Sequence, residues 1–167
     1  MEERIYNYLG GDITDTRIRL LDSSFGMVDE NNIPYINWGM EDSFCDSNGF
    51  DKQYRPIEDS EEYVIKHYIL PKGTELCRYS SPKGYFTTTK GTPYEFLSLP
   101  YDKETIEYHE YIVTEEIDVD CYVIKGRVAP KFMSNGGGVQ FLHYQSIESE
   151  CYDGYLVEDK TWILKHI

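Results

Sequence analysis

Apolar and polar positions alternate with period two through much of this chain beyond residue 62, the pattern of half-buried strands. Residues 63–70 (Tyr-Val-Ile-Lys-His-Tyr-Ile-Leu) predict a strand, Pro71-Lys72-Gly73-Thr74 a tight turn, and residues 75–79 a second strand, so these two are expected to pair as a hairpin. Ser80-Ser81-Pro82-Lys83-Gly84 predicts another turn and Tyr85-Phe86-Thr87-Thr88-Thr89 a further short strand. Residues 90–103 hold Gly91, Pro93 and Pro100, which excludes one long regular element. Strands follow at residues 108–113, 119–124 and 139–143; in the last, Gln140 and Leu142 face opposite to Val139, Phe141 and His143. Residues 146–152 predict one or two helical turns ended by Gly154, and residues 161–167 a closing strand with Trp162 and Leu164 on one face.

The first 62 residues carry a weaker pattern. Thr14 or Asp15 caps a short predicted helix over residues 16–21, where Ile18, Leu20 and Leu21 form an apolar edge. Residues 29–60 are rich in Asp, Asn, Gly, Ser and Pro, with isolated aromatics at Tyr35, Trp38, Phe44, Phe50 and Tyr54, and read as a long ordered loop pinned by aromatic anchors.

Between the last strands stands Ala129-Pro130-Lys131-Phe132-Met133-Ser134-Asn135-Gly136-Gly137-Gly138. Three successive glycines forfeit backbone entropy and offer nothing to pack, so they mark a positive φ or a group lying against the main chain. Gln140 then stands at the mouth of a strand, directly after this bare loop.

At 167 residues the chain suits one domain with a real core. Its 30 acidic against 16 basic residues give a net charge of −14, which repels phosphate backbones and anionic lipids and so argues against nucleic-acid and membrane-surface roles. A local basic pocket for a small anion remains compatible with that charge. The 16 tyrosines fit half-buried strand positions. Met1-Glu2-Glu3-Arg4 does not open like a signal peptide, and no apolar stretch approaches membrane-spanning length. Cys45, Cys77, Cys121 and Cys151 form no CxxC pair, which argues against structural zinc and leaves both disulfides and buried free thiols open.

The common hydrolase and nucleotide-binding signatures GxSxG, HExxH, GxxxxGK[ST] and GxGxxG are missing, and His67, His109, His143 and His166 stand singly. A succession of smaller motifs carries more. Leu70-Pro71-Lys72-Gly73-Thr74, Arg78-Tyr79-Ser80-Ser81-Pro82-Lys83-Gly84-Tyr85-Phe86, Gly91-Thr92-Pro93-Tyr94-Glu95 with Leu99-Pro100, Tyr108-His109-Glu110-Tyr111, the glycine stretch through Phe141, and Gly154-Tyr155-Leu156 occur in that order. Together they resemble the TNT family, named for the tuberculosis necrotizing toxin, whose members are NAD+ glycohydrolases found mainly at the ends of secreted bacterial toxins, with fungal surface relatives. The resemblance covers roughly residues 38–158.

The resemblance implies an α+β, β-dominated fold with short antiparallel strands in two packed sheets and few short helices. It implies an N-terminal extension, partly helical, over residues 1–37 and a TNT-like domain over residues 38–167. Gln140 and His109 match the family's catalytic positions. Arg78 matches an arginine used on the dinucleotide phosphates, a task suited to a permanently charged, bidentate guanidinium. Phe86, next to Tyr85, matches an aromatic lying against a flat ring of the ligand, and Gly136, Gly137 and Gly138 let the ribose approach the backbone. Leu97 departs from the pattern, standing where the family has a second arginine.

The implied reaction cleaves the nicotinamide–ribose bond of NAD+ or NADP+ with no cofactor and no metal. The implied partner is a cognate immunity protein, and the implied location is outside the producing cell or inside a target cell. Two alternatives stay open: an ADP-ribosyltransferase, for which Glu148-Ser149-Glu150 has the bare spacing, and an inactive nucleotide-binding module, favoured by Leu97.

Overall fold

Strand-forming residues with one buried face become strands when neighbours cover that face, and the computed structural model shows which neighbours do so. It describes residues 26–28, 34–36, 45–52, 54–57, 59–99, 106–115, 118–129 and 136–160. In chain order the elements are β1 (Gly26–Val28), β2 (Pro34–Ile36), β3 (Ile65–Leu70), β4 (Glu75–Tyr79), β5 (Phe86–Thr89), a 3-10 helix (Tyr94–Phe96), β6 (Tyr108–Val113), β7 (Cys121–Arg127), β8 (Val139–His143), α1 (Ile147–Tyr152) and β9 (Leu156–Asp159). The bounds expected for β4, β6 and β8 are those observed.

The fold is β-dominated. Instead of two packed sheets, the described strands give one seven-stranded antiparallel sheet, in the order β3-β7-β8-β5-β4-β6-β9, and a separate ribbon of β1 and β2. That ribbon lies partly inside what reads as a loop in the sequence.

The expected β3–β4 hairpin does not form. The turn itself is present, with the Thr74 amide donating to the Pro71 carbonyl at 3.1 Å. The next groups, however, bond to β6: the Gly73 amide donates to Val113 at 2.8 Å, and the Val113 amide to Thr74 at 3.0 Å. Glu75 therefore lies opposite Ile112, while β3 runs beside β7 with Leu70 opposite Cys121. His67, at φ +54°, sits where the β3–β7 register shifts, the irregularity that a bulge introduces.

β7 begins two residues later than expected, and β9 is a strand the pattern did not announce. The predicted helix at residues 16–21 and closing strand at residues 161–167 lie outside the described residues.

By internal contacts the described residues fall into two compact units. One draws on Met1–Val64, Pro93–Pro100 and Gly126–Val139, the other on Ile65–Thr92, Tyr101–Lys125 and Gln140–Ile167. In the first, Phe50 is 1% exposed and Val128 and Ala129 are buried; of the expected aromatic anchors, Phe50 thus holds as core. Gly126 makes room for it, because a Cβ there would stand 2.5 Å from the Phe50 ring. In the second, Leu70, Leu76, Tyr111, Val113, Val123, Phe141, Ile147 and Leu156 form the core, each large side chain contributing roughly 1.5–3 kcal/mol through burial.

α1 forms where expected. Ser146 caps it by accepting from the Ser149 amide, and two further N-terminal amides, Ile147 and Glu148, donate to the carbonyls of Gly84 and Pro82 at 2.8 Å each. Gly154, at φ +86°, ends it. All four cysteines are free thiols, three of them buried. Burial pushes Cys77 and Cys151 up to about 11 and Cys121 to about 12, so these thiols stay protonated at neutral pH.

Candidate active site

Register decides which candidate residues share a face, since side chains alternate along each strand. Gln140 on β8 is opposite Thr88 on β5, Thr88 is opposite Cys77 on β4, and Cys77 is opposite Glu110 on β6. These four make one row across the sheet. Phe86, two residues before Thr88 and opposite Leu142, shares its face. Phe86 and Gln140 are thus diagonal cross-strand neighbours, a relation that puts Cα atoms about 7–8 Å apart and lets an aromatic ring reach its neighbour.

Arg78 and His109 face each other across β4 and β6, one position out of step with that row, and so project from the opposite face. The structure brings Gln140 and Phe86 together and, separately, Arg78 and His109.

Within the row, buried Glu110 accepts a hydrogen bond from the Tyr108 hydroxyl at 2.6 Å and lies 3.6 Å from the Lys90 ammonium. The Tyr108 hydroxyl is raised well above its ordinary pKa, first by burial and then by that bond, and remains a donor at every working pH.

Arg78 grips the loop that leads into β5. Its Nε donates to the Ser81 carbonyl at 2.7 Å and its Nη1 to the Phe86 carbonyl at 3.0 Å. Gly84 is the residue that permits this, because a Cβ there would stand 2.0 Å from Arg78 Nη2. The guanidinium therefore shapes the segment that presents Tyr85 and Phe86. The Tyr85 side chain is 48% exposed, and its carbonyl accepts from the His143 amide at 2.8 Å.

His109 is held on both sides: Nδ1 lies 2.6 Å from Glu158 and Nε2 3.0 Å from Glu107. Burial of the ring opposes its charge, but the bonds to Glu107 and Glu158 and their negative charges outweigh it, and the net shift is upward. When protonated, the ring donates both N–H groups to carboxylates, which fixes its orientation. Glu158 is 49 residues away, and no local signal in the sequence announces it.

What lies against the glycine loop is the chain's own backbone. Gly136, Gly137 and Gly138 are buried. A Cβ on Gly136, at φ +66°, would stand 2.6 Å from the Val128 carbonyl oxygen. The Gly137 amide donates to Val128 at 2.8 Å and the Gly138 amide to Phe96 at 3.1 Å, while the Gly137 carbonyl accepts from Arg127 Nη1 at 2.7 Å. The triplet is a close main-chain crossing that launches β8 and Gln140. Leu97, at the end of the 3-10 helix, is 7% exposed and belongs to the core of its unit.

Comparison with known proteins places the chain. A family model described as Tuberculosis necrotizing toxin (TNT) matches residues 69–158, more than half of the chain, and the protein belongs to this family. That stretch contains every candidate residue named above. The chain is also similar to the conidial surface nicotinamide adenine dinucleotide glycohydrolase nadA of Aspergillus fumigatus, with 33% identity over 117 residues, 66% of this chain and 46% of that protein. It thus spans about half the length of this curated relative.

Proposed function

We propose that the protein is an NAD+ glycohydrolase, cleaving the nicotinamide–ribose bond of NAD+ or NADP+ to give nicotinamide and an ADP-ribose product. The reading is carried by the shared face of Phe86 and Gln140 in a chain of the TNT family. An aromatic ring and a carboxamide at diagonal positions on one face of the sheet suit a flat base beside its ribose. Nicotinamide leaves as a neutral pyridine, so no strong general acid is needed. The developing oxocarbenium ribose and the attacking water need fixed dipoles, and the Gln140 amide serves as donor to a ribose hydroxyl or acceptor from water. Arg78 supports the site through the loop that carries Phe86, and His109, fixed between two carboxylates, supports it as a positioning residue. The glycines act by directing β8.

The experiment is nicotinamide release from NAD+ and NADP+ by the purified chain beside Gln140→Ala. Removing one such hydrogen-bonding group costs about 10²–10³ in turnover. The expected result is that loss with an unchanged melting temperature; equal rates in the two proteins would overturn the assignment.

The transferase alternative loses support because Glu150 of its Glu-Ser-Glu spacing is on the buried side of α1, 4% exposed. The inactive-module reading keeps one observation in its favour, the apolar Leu97 in place of a cation, and it predicts NAD+ binding in calorimetry without product.

A role as a delivered toxin domain over residues 38–167, held in check in its producer by an immunity protein, goes with the glycohydrolase reading. High-yield expression of the active chain without any partner would count against it.

A further inference from the structure

On the face of the sheet opposite the Gln140 row, three side chains from three elements converge: Cys121 of β7, His143 of β8 and Glu150 of α1. All are buried, and their donor atoms lie within 4.8 Å of one another. The His143 side chain is fully buried, and its Nδ1 has no hydrogen-bond partner among the described residues. An orphaned ring nitrogen in a core is costly unless something completes it.

The nearest carboxylate oxygen, Glu150 Oε1, is 3.5 Å away. Two ligands of one tetrahedral zinc, bonded at about 2.0–2.1 Å, stand about 3.4 Å apart. The flanking groups are arranged for that outcome. The other ring nitrogen, Nε2, pairs with the Thr87 hydroxyl at 2.7 Å, which can hold the tautomer whose Nδ1 lone pair is free. Gln145 Nε2 reaches Glu150 Oε2 at 3.5 Å and Asp153 Oδ2 at 3.0 Å, leaving Oε1 toward His143. A cavity of about 260 Å³ lined by Cys121, Glu150, Gln145, Asp153 and Tyr122 adjoins the cluster and admits a water as fourth ligand.

We propose that Cys121, His143 and Glu150 form a zinc site that staples α1 to β7 and β8. A thiolate, an imidazole and a carboxylate are a donor set for zinc and, in its place, cobalt. On binding, the Cys121 S–H bond is exchanged for an S–Zn bond and the proton leaves to water. The site lies on the face of β8 opposite Gln140, so the glycosyl chemistry proposed above does not run through the metal.

The test uses the whole chain, stripped by chelator and titrated with Zn2+ and, separately, Co2+. One equivalent per chain is expected, with a cobalt–thiolate charge-transfer band and a melting temperature that rises with free metal. At a hundredfold excess over Kd the folding equilibrium shifts about 100-fold. Cys121→Ser removes the band, whereas Cys77→Ser, at a buried thiol of β4, retains it. Thr87→Val, close in shape, keeps the band but weakens affinity about 10- to 100-fold, and it carries the test if Cys121→Ser does not fold. Absence of metal-dependent stabilisation in the folded chain, a band that survives Cys121→Ser, or wild-type affinity in Thr87→Val would overturn the proposal.

Discussion

Gly84→Ala puts the Arg78 clamp under direct test. The added methyl would stand 2.0 Å from Nη2, 2.6 Å from Cζ and 3.1 Å from Nη1 of Arg78, so the guanidinium has to leave. It takes with it the bonds to the Ser81 and Phe86 carbonyls. Hydrogen bonds from a charged donor contribute roughly 1.5–3 kcal/mol each, and for a half-buried arginine the lower end applies, about 3 kcal/mol for the pair. Against this, alanine restricts the unfolded chain and returns about 0.4–1 kcal/mol, leaving a net loss near 2 kcal/mol. With a urea slope of about 2 kcal/mol/M, the unfolding midpoint falls by about 1 M. The decisive comparison is the same change in an Arg78→Ala background. There the clash is gone, and Gly84→Ala is neutral or slightly stabilising. An equal cost in both backgrounds would refute the clamp, because a double-mutant cycle isolates the pair.

Three further outcomes follow from the geometry. Gly136→Ala forces a side chain onto φ +66° and into the Val128 carbonyl, so urea melts should show a loss of about 2 kcal/mol or more; a wild-type midpoint would mean the crossing is looser than it is drawn. His109 has a raised pKa in the folded state, so the stability it lends is fully present below its unfolded value of about 6.5 and is lost as pH rises through the higher folded value. Thermal melts of His109→Gln against the parent should therefore differ most near pH 6 and converge toward alkaline pH, and a gap that widens with pH would reverse the sign. Leu97→Arg, which restores the family's residue, buries a charge at a position only 7% exposed and should cost roughly 2–4 kcal/mol; differential scanning calorimetry showing no loss would mean that the arginine escapes to solvent.

Local chemistry in this chain was legible without any tertiary information. The alternation in residues 108–113 and 139–143 gave the strand bounds and the face of Gln140, because the period of a strand is written in consecutive residues. Ser146 and Gly154 bracketed α1 for the same reason, since caps act on the nearest backbone groups. The ordered motifs from Leu70 to Leu156 identified the family. Pairing was another matter. The turn at Pro71-Lys72-Gly73-Thr74 is correct as a turn, yet nothing in it says that its amides will bond to Val113 and send β3 to β7.

By itself, then, the sequence determined a β-dominated chain, most of the strands of its large sheet and its family. Tertiary structure alone decided that Gln140 and Phe86 share a face while Arg78 and His109 take the other, that Gly84 exists to admit Arg78, and that Glu158 closes on His109. It also brought Cys121, His143 and Glu150 into one cluster. The physical reason is that strand partners and ion pairs are chosen by burial and hydrogen-bond satisfaction summed over the whole sheet, a quantity that no window of neighbouring residues contains.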